Sequence, residues 1–321
     1  MEYSMKLHTD IQDFTDLIRL TATHFNILPE FVEKDYWITL TLNNLSISQY
    51  AESVVFKGGT SLTKAYRIIN RFSEDIDIAL LDEKLSESAV KTKIRNIEKE
   101  ITADLTEIDE PNLTRKFSKY RKSLFQYPSN INNRLVNNVS KRIIVEINSF
   151  ANPIPFVQKE IISFIAEFLN ATNQVNVIQE YDLQPFSQNI LDKSQTMLEK
   201  VVSLIRFSFA ENPSNELSKK IRHFYDLYYL ANDEECAKYL ESPKFQKDLY
   251  ELFIHDQKEF DEPQGWKTKA IKDSPLINDF STIWAYLRSI YQNELTPLAF
   301  AKIPDEKLVE ESFKKIIKKI V

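Results

Sequence analysis

The chain has 321 residues, 43% of them hydrophobic, with a formal net charge of −6 and a single cysteine, Cys236. That length and composition suit two domains, or else one large domain, with a sizeable core, while one cysteine excludes an intramolecular disulfide and any Cys-based zinc cluster. The acidic balance argues against a dedicated nucleic-acid coat. No stretch approaches the ~18 consecutive apolar residues of a membrane span, and the polar Met1–Asp10 segment lacks a signal-peptide core, so a cytoplasmic protein is expected.

Taken in order, Ile11, Phe14, Ile18 and Thr21 keep a helical spacing that runs into a turn at Asn26–Pro29. Pro29 and Glu30 open a second helix, a position where proline's fixed φ and missing N–H cost nothing. Val54, Val55 and Phe56 read as a buried strand. Gly58 and Gly59 follow, two of only three glycines in the chain. Leu62, Ala65, Tyr66 and Ile69 then keep a helix period, so the glycines fall at a strand-to-helix turn. Backbone N–H groups at such a turn favour an anion.

Phe72 to Leu80 reads as the next strand, with Asp75 and Asp77 on one face and Ile76, Ile78 and Leu80 on the other. Strand interiors are depleted in aspartate. Two carboxylates at i and i+2 point the same way, as a divalent ion requires. Glu83 to Leu105 is helical. Phe117–Tyr127 and Lys141–Phe150 read as strands, with the Asn-rich 129–138 segment as a turn between them. Glu146 shares a face with Ile144 and Asn148, and a carboxylate inside an apolar strand is costly unless paired or metal-bound. That makes it the natural third acidic ligand.

The segment from Thr114 to Phe125 carries five basic residues, Arg115, Lys116, Lys119, Arg121 and Lys122, interleaved with aromatics and no acid. Such a pattern suits single-stranded or end-bound RNA, or else a solvated hairpin face. A boundary is placed at Tyr181–Asn189, giving domains 1–185 and 186–321. Beyond it the chain reads as helix, including Met197 to Ile205, Leu217 to Tyr228 and a closing amphipathic stretch with Leu308, Phe313, Ile316 and Ile320 on one stripe. His8, His24 and His255 have no metal-ligand spacing, and Trp37, Trp266 and Trp284 read as core.

Gly58-Gly-Thr-Ser-Leu-Thr-Lys followed by Arg71-Phe-Ser-Glu-Asp-Ile-Asp-Ile resembles the first motif of the AbiEii/AbiGii-type nucleotidyltransferase toxins, of the DNA polymerase β-like superfamily. Val32-Glu-Lys-Asp-Tyr-Trp resembles that family's N-terminal helix. Lys200 and the Arg222-His-Phe-Tyr-Asp226 segment resemble its later lysine and aspartate motifs, with His223 where many relatives are acidic. The likeness spans roughly residues 10 to 230. It implies an α+β fold: a mixed sheet flanked by helices, then a helical C-terminal domain contributing to the cleft.

The implied activity is Mg²⁺- or Mn²⁺-dependent transfer of a nucleotide from an NTP to RNA, often the 3′ end of tRNA. The implied setting is the toxin half of a bacterial toxin–antitoxin pair used in abortive phage infection, with a separately encoded antitoxin. By that resemblance Asp75 and Asp77 hold metal, while Glu146, placed by its strand context, completes the acidic cluster as a third ligand or acts as a base. Lys57, Gly58, Gly59, Thr60, Ser61 and Ser73 contact the nucleotide, and Lys200 reaches the triphosphate. Asp226 orients Lys200 or the nucleotide, or else, as i and i+4 on one helix, simply pairs with Arg222. A protein acceptor and a nucleotide-binding pseudoenzyme stand as alternatives, although intact Asp75 and Asp77 argue against the latter.

Overall fold

The computed structural model describes residues 5–81, 85–129 and 141–320; the predicted Asn-rich turn lies almost wholly outside them. The chain divides into two compact units. The first comprises residues 1–66 and 72–191, the second 67–71 and 192–321.

The first unit opens with α1 (Ile11–Phe25) and α2 (Pro29–Ser46). Asp10 caps α1 by accepting from the Asp13 N–H, and Asn26 ends it in the left-handed conformation. Helix α2 has Pro29 in its first turn and is buried nearly all round from Glu30 to Thr39. Strand β1 (Val54–Lys57) leads directly into α3 (Gly58–Lys64), then β2 (Asp75–Leu80) and α4 (Glu87–Ile101). Helix α3 ends at Lys64, short of the predicted Ile69, and Arg67 takes a positive φ of 56° that ends any helical continuation. The short strands β3 (Thr106–Ile108) and β4 (Arg115–Lys116) precede β5 (Tyr120–Gln126), β6 (Arg142–Asn148) and β7 (Phe156–Ile161). Helices α5 (Phe164–Ala171) and α6 (Val175–Glu180) lead to β8 (Phe186–Leu191).

These strands form one mixed sheet in the order β3-β5-β6-β2-β1-β8-β7, with β4 paired to β5. The β2–β6 and β1–β8 pairs are parallel and the others antiparallel. Ile76, Ile78, Ile143, Val145 and Ile147 are fully buried, so one face of the central strands is core. By the period of two, Asp75, Asp77 and Glu146 are left on the opposite face. The break between units falls at 191/192, not 185/186, because Phe186–Leu191 adds β8 to the sheet through its pairing with β7 and β1.

The second unit is helical: α7 (Lys193–Ser208), α8 (Pro213–Ser218), α9 (Ile221–Asn232), α10 (Glu234–Leu240), α11 (Pro243–Glu259), α12 (Pro275–Asn278), α13 (Phe280–Leu295) and α14 (Glu306–Ile320). Its core gathers Phe224, Phe280, Trp284 and Phe313, with ring centroids 4.7–6.1 Å apart. All three tryptophans are buried, as their sequence context predicts. Residues 67–71 join this unit through Asn70, whose N–H donates to the Tyr225 hydroxyl and whose carbonyl accepts from the Phe300 N–H at 2.8 Å, and through an Arg71–Ala299 bridge. Nothing in the sequence pattern marks this excursion.

Candidate active site

The turn from β1 to α3 is built around Gly58, whose φ of +81° is open to glycine at little cost. A Cβ at this position would overlap the Asp77 carboxylate, so glycine is required both by backbone conformation and by the side chain packed over it. The two hydroxyls that follow are engaged locally. Thr60 donates to the Asp75 carbonyl, and Ser61 donates to the Gly58 carbonyl at 2.8 Å. Both side chains are buried. Their protons thus fix the turn to β2, and an anion here would be met by backbone N–H groups rather than by these hydroxyl protons. Ser73 is also buried, and Lys57 is half-buried, opposite Asp77.

Lys64, at the end of α3, serves the fold. Its ammonium donates to Asp35 Oδ1 at 2.6 Å and to the Ile162 carbonyl at 2.7 Å, while Asp35 Oδ2 accepts from the Phe164 N–H. This buried, fully partnered pair ties α2, α3 and the start of α5 together. Lys34, one residue before Asp35, pairs with Glu74 at 3.2 Å. Burial works against its charge and Glu74 only partly restores it, so its pKa lies below that of an ordinary lysine.

Asp77 stands opposite Glu146 across the parallel β2–β6 pair, and Asp75 opposite Ile144. All three carboxylates are half-buried. Glu146 is engaged on both oxygens: Lys122 Nζ lies 2.5 Å from Oε1, and the Tyr120 hydroxyl donates to Oε2 at 2.8 Å. Burial, then Glu146, then Asp77 and Asp75 push the Tyr120 phenol pKa far up, so it remains a donor. Asp75 and Asp77 offer the hard oxygen donors that suit Mg²⁺ or Mn²⁺, beside a glycine cradle that a side chain would close. Among the described residues, however, no group of three or more His, Cys, Asp or Glu side chains is arranged to hold a metal ion. The predicted trio therefore shares a face, but Glu146 is turned to Lys122 and Tyr120.

The five basic residues of the 114–125 segment separate by position. Arg115, Lys116 and Lys119 are exposed, together with Phe117 at 62%. Lys116 pairs with Glu107, and Arg115 donates to the carbonyls of Pro111 and Thr114. Arg121 turns to Glu98 of α4, while Lys122, on the other face of β5, turns to Glu146. The sequence run is contiguous, but the strand period sends its last two cations to opposite sides.

In the second unit, Lys200 of α7 and Asp226 of α9 meet at 2.8 Å, and Arg71 grips the same carboxylate through two 2.8 Å hydrogen bonds. The sequence assigns Arg71 no role; its place two residues before Ser73, at the head of the Ser-Glu-Asp-Ile-Asp run, is the available signal. Asp226 is fully buried and Lys200 nearly so. Burial alone would raise the Asp226 pKa, but Arg71 and Lys200 outweigh it and hold the carboxyl far below its usual range. His223, also on α9, is kept neutral by burial first and then by Lys200 and Lys220. Two cations, Arg71 and Lys200, thus share one buried carboxylate.

A family model described as "Nucleotidyl transferase AbiEii toxin, Type IV TA system" matches residues 40–318. No curated protein matches the chain. Among solved structures it is similar to MenT4, a nucleotidyltransferase toxin from Mycobacterium tuberculosis H37Rv, at 16% identity over 93% of this chain and 97% of that one, with a TM-score of 0.44. No helix among the described residues is long and apolar enough to cross a membrane.

Proposed function

The chain belongs to the AbiEii family of nucleotidyltransferase toxins of type IV toxin–antitoxin systems, and from that premise we propose that it transfers a nucleoside monophosphate from an NTP to the 3′ end of an RNA, tRNA foremost. A type IV system implies a separate antitoxin protein. In this reading Asp75 and Asp77 hold Mg²⁺ or Mn²⁺, which neutralises charge on the triphosphate and on the attacking oxygen when bound.

The RNA 3′-oxygen attacks the α-phosphorus, the bond to the β-phosphate oxygen breaks, pyrophosphate leaves, and the hydroxyl proton passes to a carboxylate of the acidic face. Backbone N–H groups at the Gly58–Ser61 turn receive phosphate oxygens of the nucleotide.

The observation that carries the choice of RNA is the β4–β5 hairpin. Its tip exposes Phe117 beside Arg115, Lys116 and Lys119. The Phe117 N–H donates to the Tyr120 carbonyl, and the Tyr120 hydroxyl in turn rests on Glu146. An aromatic platform with cations thus leads along one strand to the acidic face, as an RNA end that stacks and then reacts would use.

The test is a transfer assay with each of the four α-labelled NTPs, Mg²⁺ and total bacterial RNA, beside Asp75→Asn. A tRNA-sized, ribonuclease-sensitive product absent in the variant is expected. A product sensitive only to protease would replace RNA by a protein acceptor. No product with any NTP would leave a nucleotide-binding protein without transfer.

A further inference from the structure

Lys122 takes part in an arrangement that the nucleotide reading does not call for. It stands opposite Glu146 across β5–β6, Glu146 opposite Asp77 across β6–β2, and Asp77 opposite Lys57 across β2–β1. Residues opposite one another share a face. One row therefore crosses four strands as Lys, Glu, Asp, Lys, with both carboxylates in the middle. Like charges directly opposite are destabilising, and Glu146 against Asp77 is such a pair. Lys122 and Tyr120 answer it from β5 by engaging both oxygens of Glu146. The Lys122 ammonium thus lies against Glu146 Oε1 at one end of the row, with Asp77 next along it.

We propose that Lys122 is a built-in cation of the acidic site, holding Glu146 out of metal ligation so that divalent binding rests on Asp75 and Asp77. An ordinary cross-strand ion pair would account for the Lys122–Glu146 contact alone. It would not account for the alignment with Asp77, nor for the engagement of the second Glu146 oxygen by Tyr120. The arrangement also gives Lys122 a task other than binding nucleic acid. A divalent ion and the Lys122 ammonium compete for the same negative charge. Removing the ammonium makes the site more negative by one unit and releases a third oxygen ligand.

This inference rests on the metal reading above, and the experiment separates the two. Mn²⁺ alone is titrated into the protein without nucleotide or RNA, and unbound ion is read by electron paramagnetic resonance. Wild type is expected to bind Mn²⁺, Asp77→Asn to lose it, and Glu146→Gln to stay within about threefold of wild type. Lys122→Met should bind about tenfold tighter, Lys122→Arg should match wild type, and adding Glu146→Gln to Lys122→Met should cancel the gain. Loss of Mn²⁺ in Glu146→Gln as complete as in Asp77→Asn would make Glu146 a ligand and overturn the inference alone. So would unchanged binding in Lys122→Met, with circular dichroism confirming its fold. Failure of wild type to bind Mn²⁺ at millimolar concentration would remove the metal reading and the inference together.

Discussion

Two charged clusters stand out, one in each unit, and they handle their charges in opposite ways. On the sheet, Asp75, Asp77 and Glu146 are half-buried and have an excess of negative charge over Lys122 and Lys57. In the helical unit, Asp226 is fully buried between Arg71 and Lys200, with an excess of positive charge. The sheet cluster keeps partial contact with solvent and so can exchange a cation without unfolding its surroundings. The helical cluster has exchanged water for fixed partners, and its geometry is inseparable from the unit's stability. The same residue types therefore predict an activity phenotype in one place and a folding phenotype in the other.

The largest effect should come from the buried cluster. Asp226→Asn leaves two buried cations sharing no anion, at a cost of about 3–5 kcal/mol. Thermal denaturation should fall by several degrees or more, and wild-type melting in this variant would erase the contrast. Asp77→Asn should do the reverse, lowering transfer by about 10²–10³-fold while the melting temperature moves by no more than a few degrees. A folding defect equal to that of Asp226→Asn would merge the two clusters into one kind. Gly58→Ala sharpens the comparison, since it forces a strained φ costing of order 1–3 kcal/mol and pushes on the Asp77 carboxylate. Its transfer rate should drop further than its stability accounts for, measured at a temperature where both proteins are folded.

The smallest expected effect is in pH dependence. His223 has its folded pKa depressed, by burial first and then by Lys200 and Lys220. Below its unfolded value near 6.5 the unfolded chain takes up a proton that the folded chain does not. Stability from this residue is therefore full above about pH 6.5 and is lost as pH falls below it. Asp226, also depressed, adds its own loss only below about pH 4. His223→Gln should flatten the slope between pH 7 and 5 in denaturant titrations; an unchanged slope would place its origin elsewhere.

Much of the sheet cluster was legible in the sequence, because local rules govern it. A glycine turn after an apolar strand, and carboxylates at i and i+2, follow from backbone sterics and the period of two. The helical cluster was half legible. Lys200 and Asp226 were identified through a family likeness, but Arg71 was not, since its partner lies 155 positions away and no periodicity connects them. The basic run at 114–125 shows the converse limit. Composition grouped five cations, and the strand period then assigned Arg121 and Lys122 to different faces and different acids. The missed end of α3 and the late domain break have one cause: helix period and strand pairing depend on where the chain turns, and a positive φ at Arg67 or a pairing of β8 with β1 has no short-range signature.

The assignment of residues 67–71 to the helical unit has a consequence for inheritance. Because the chain leaves the sheet unit after Tyr66, returns at Phe72 and leaves again after Leu191, no single cut separates the two units. A gene fusion or splice that exchanged everything after Leu191 would import a foreign helical unit while retaining the native Asn70 and Arg71. Those residues would have to find a new tyrosine, aspartate and backbone edge already in register. The two units are thus tied as one heritable block, and recombination within this family should preserve the 67–71 segment and the α9 helix together.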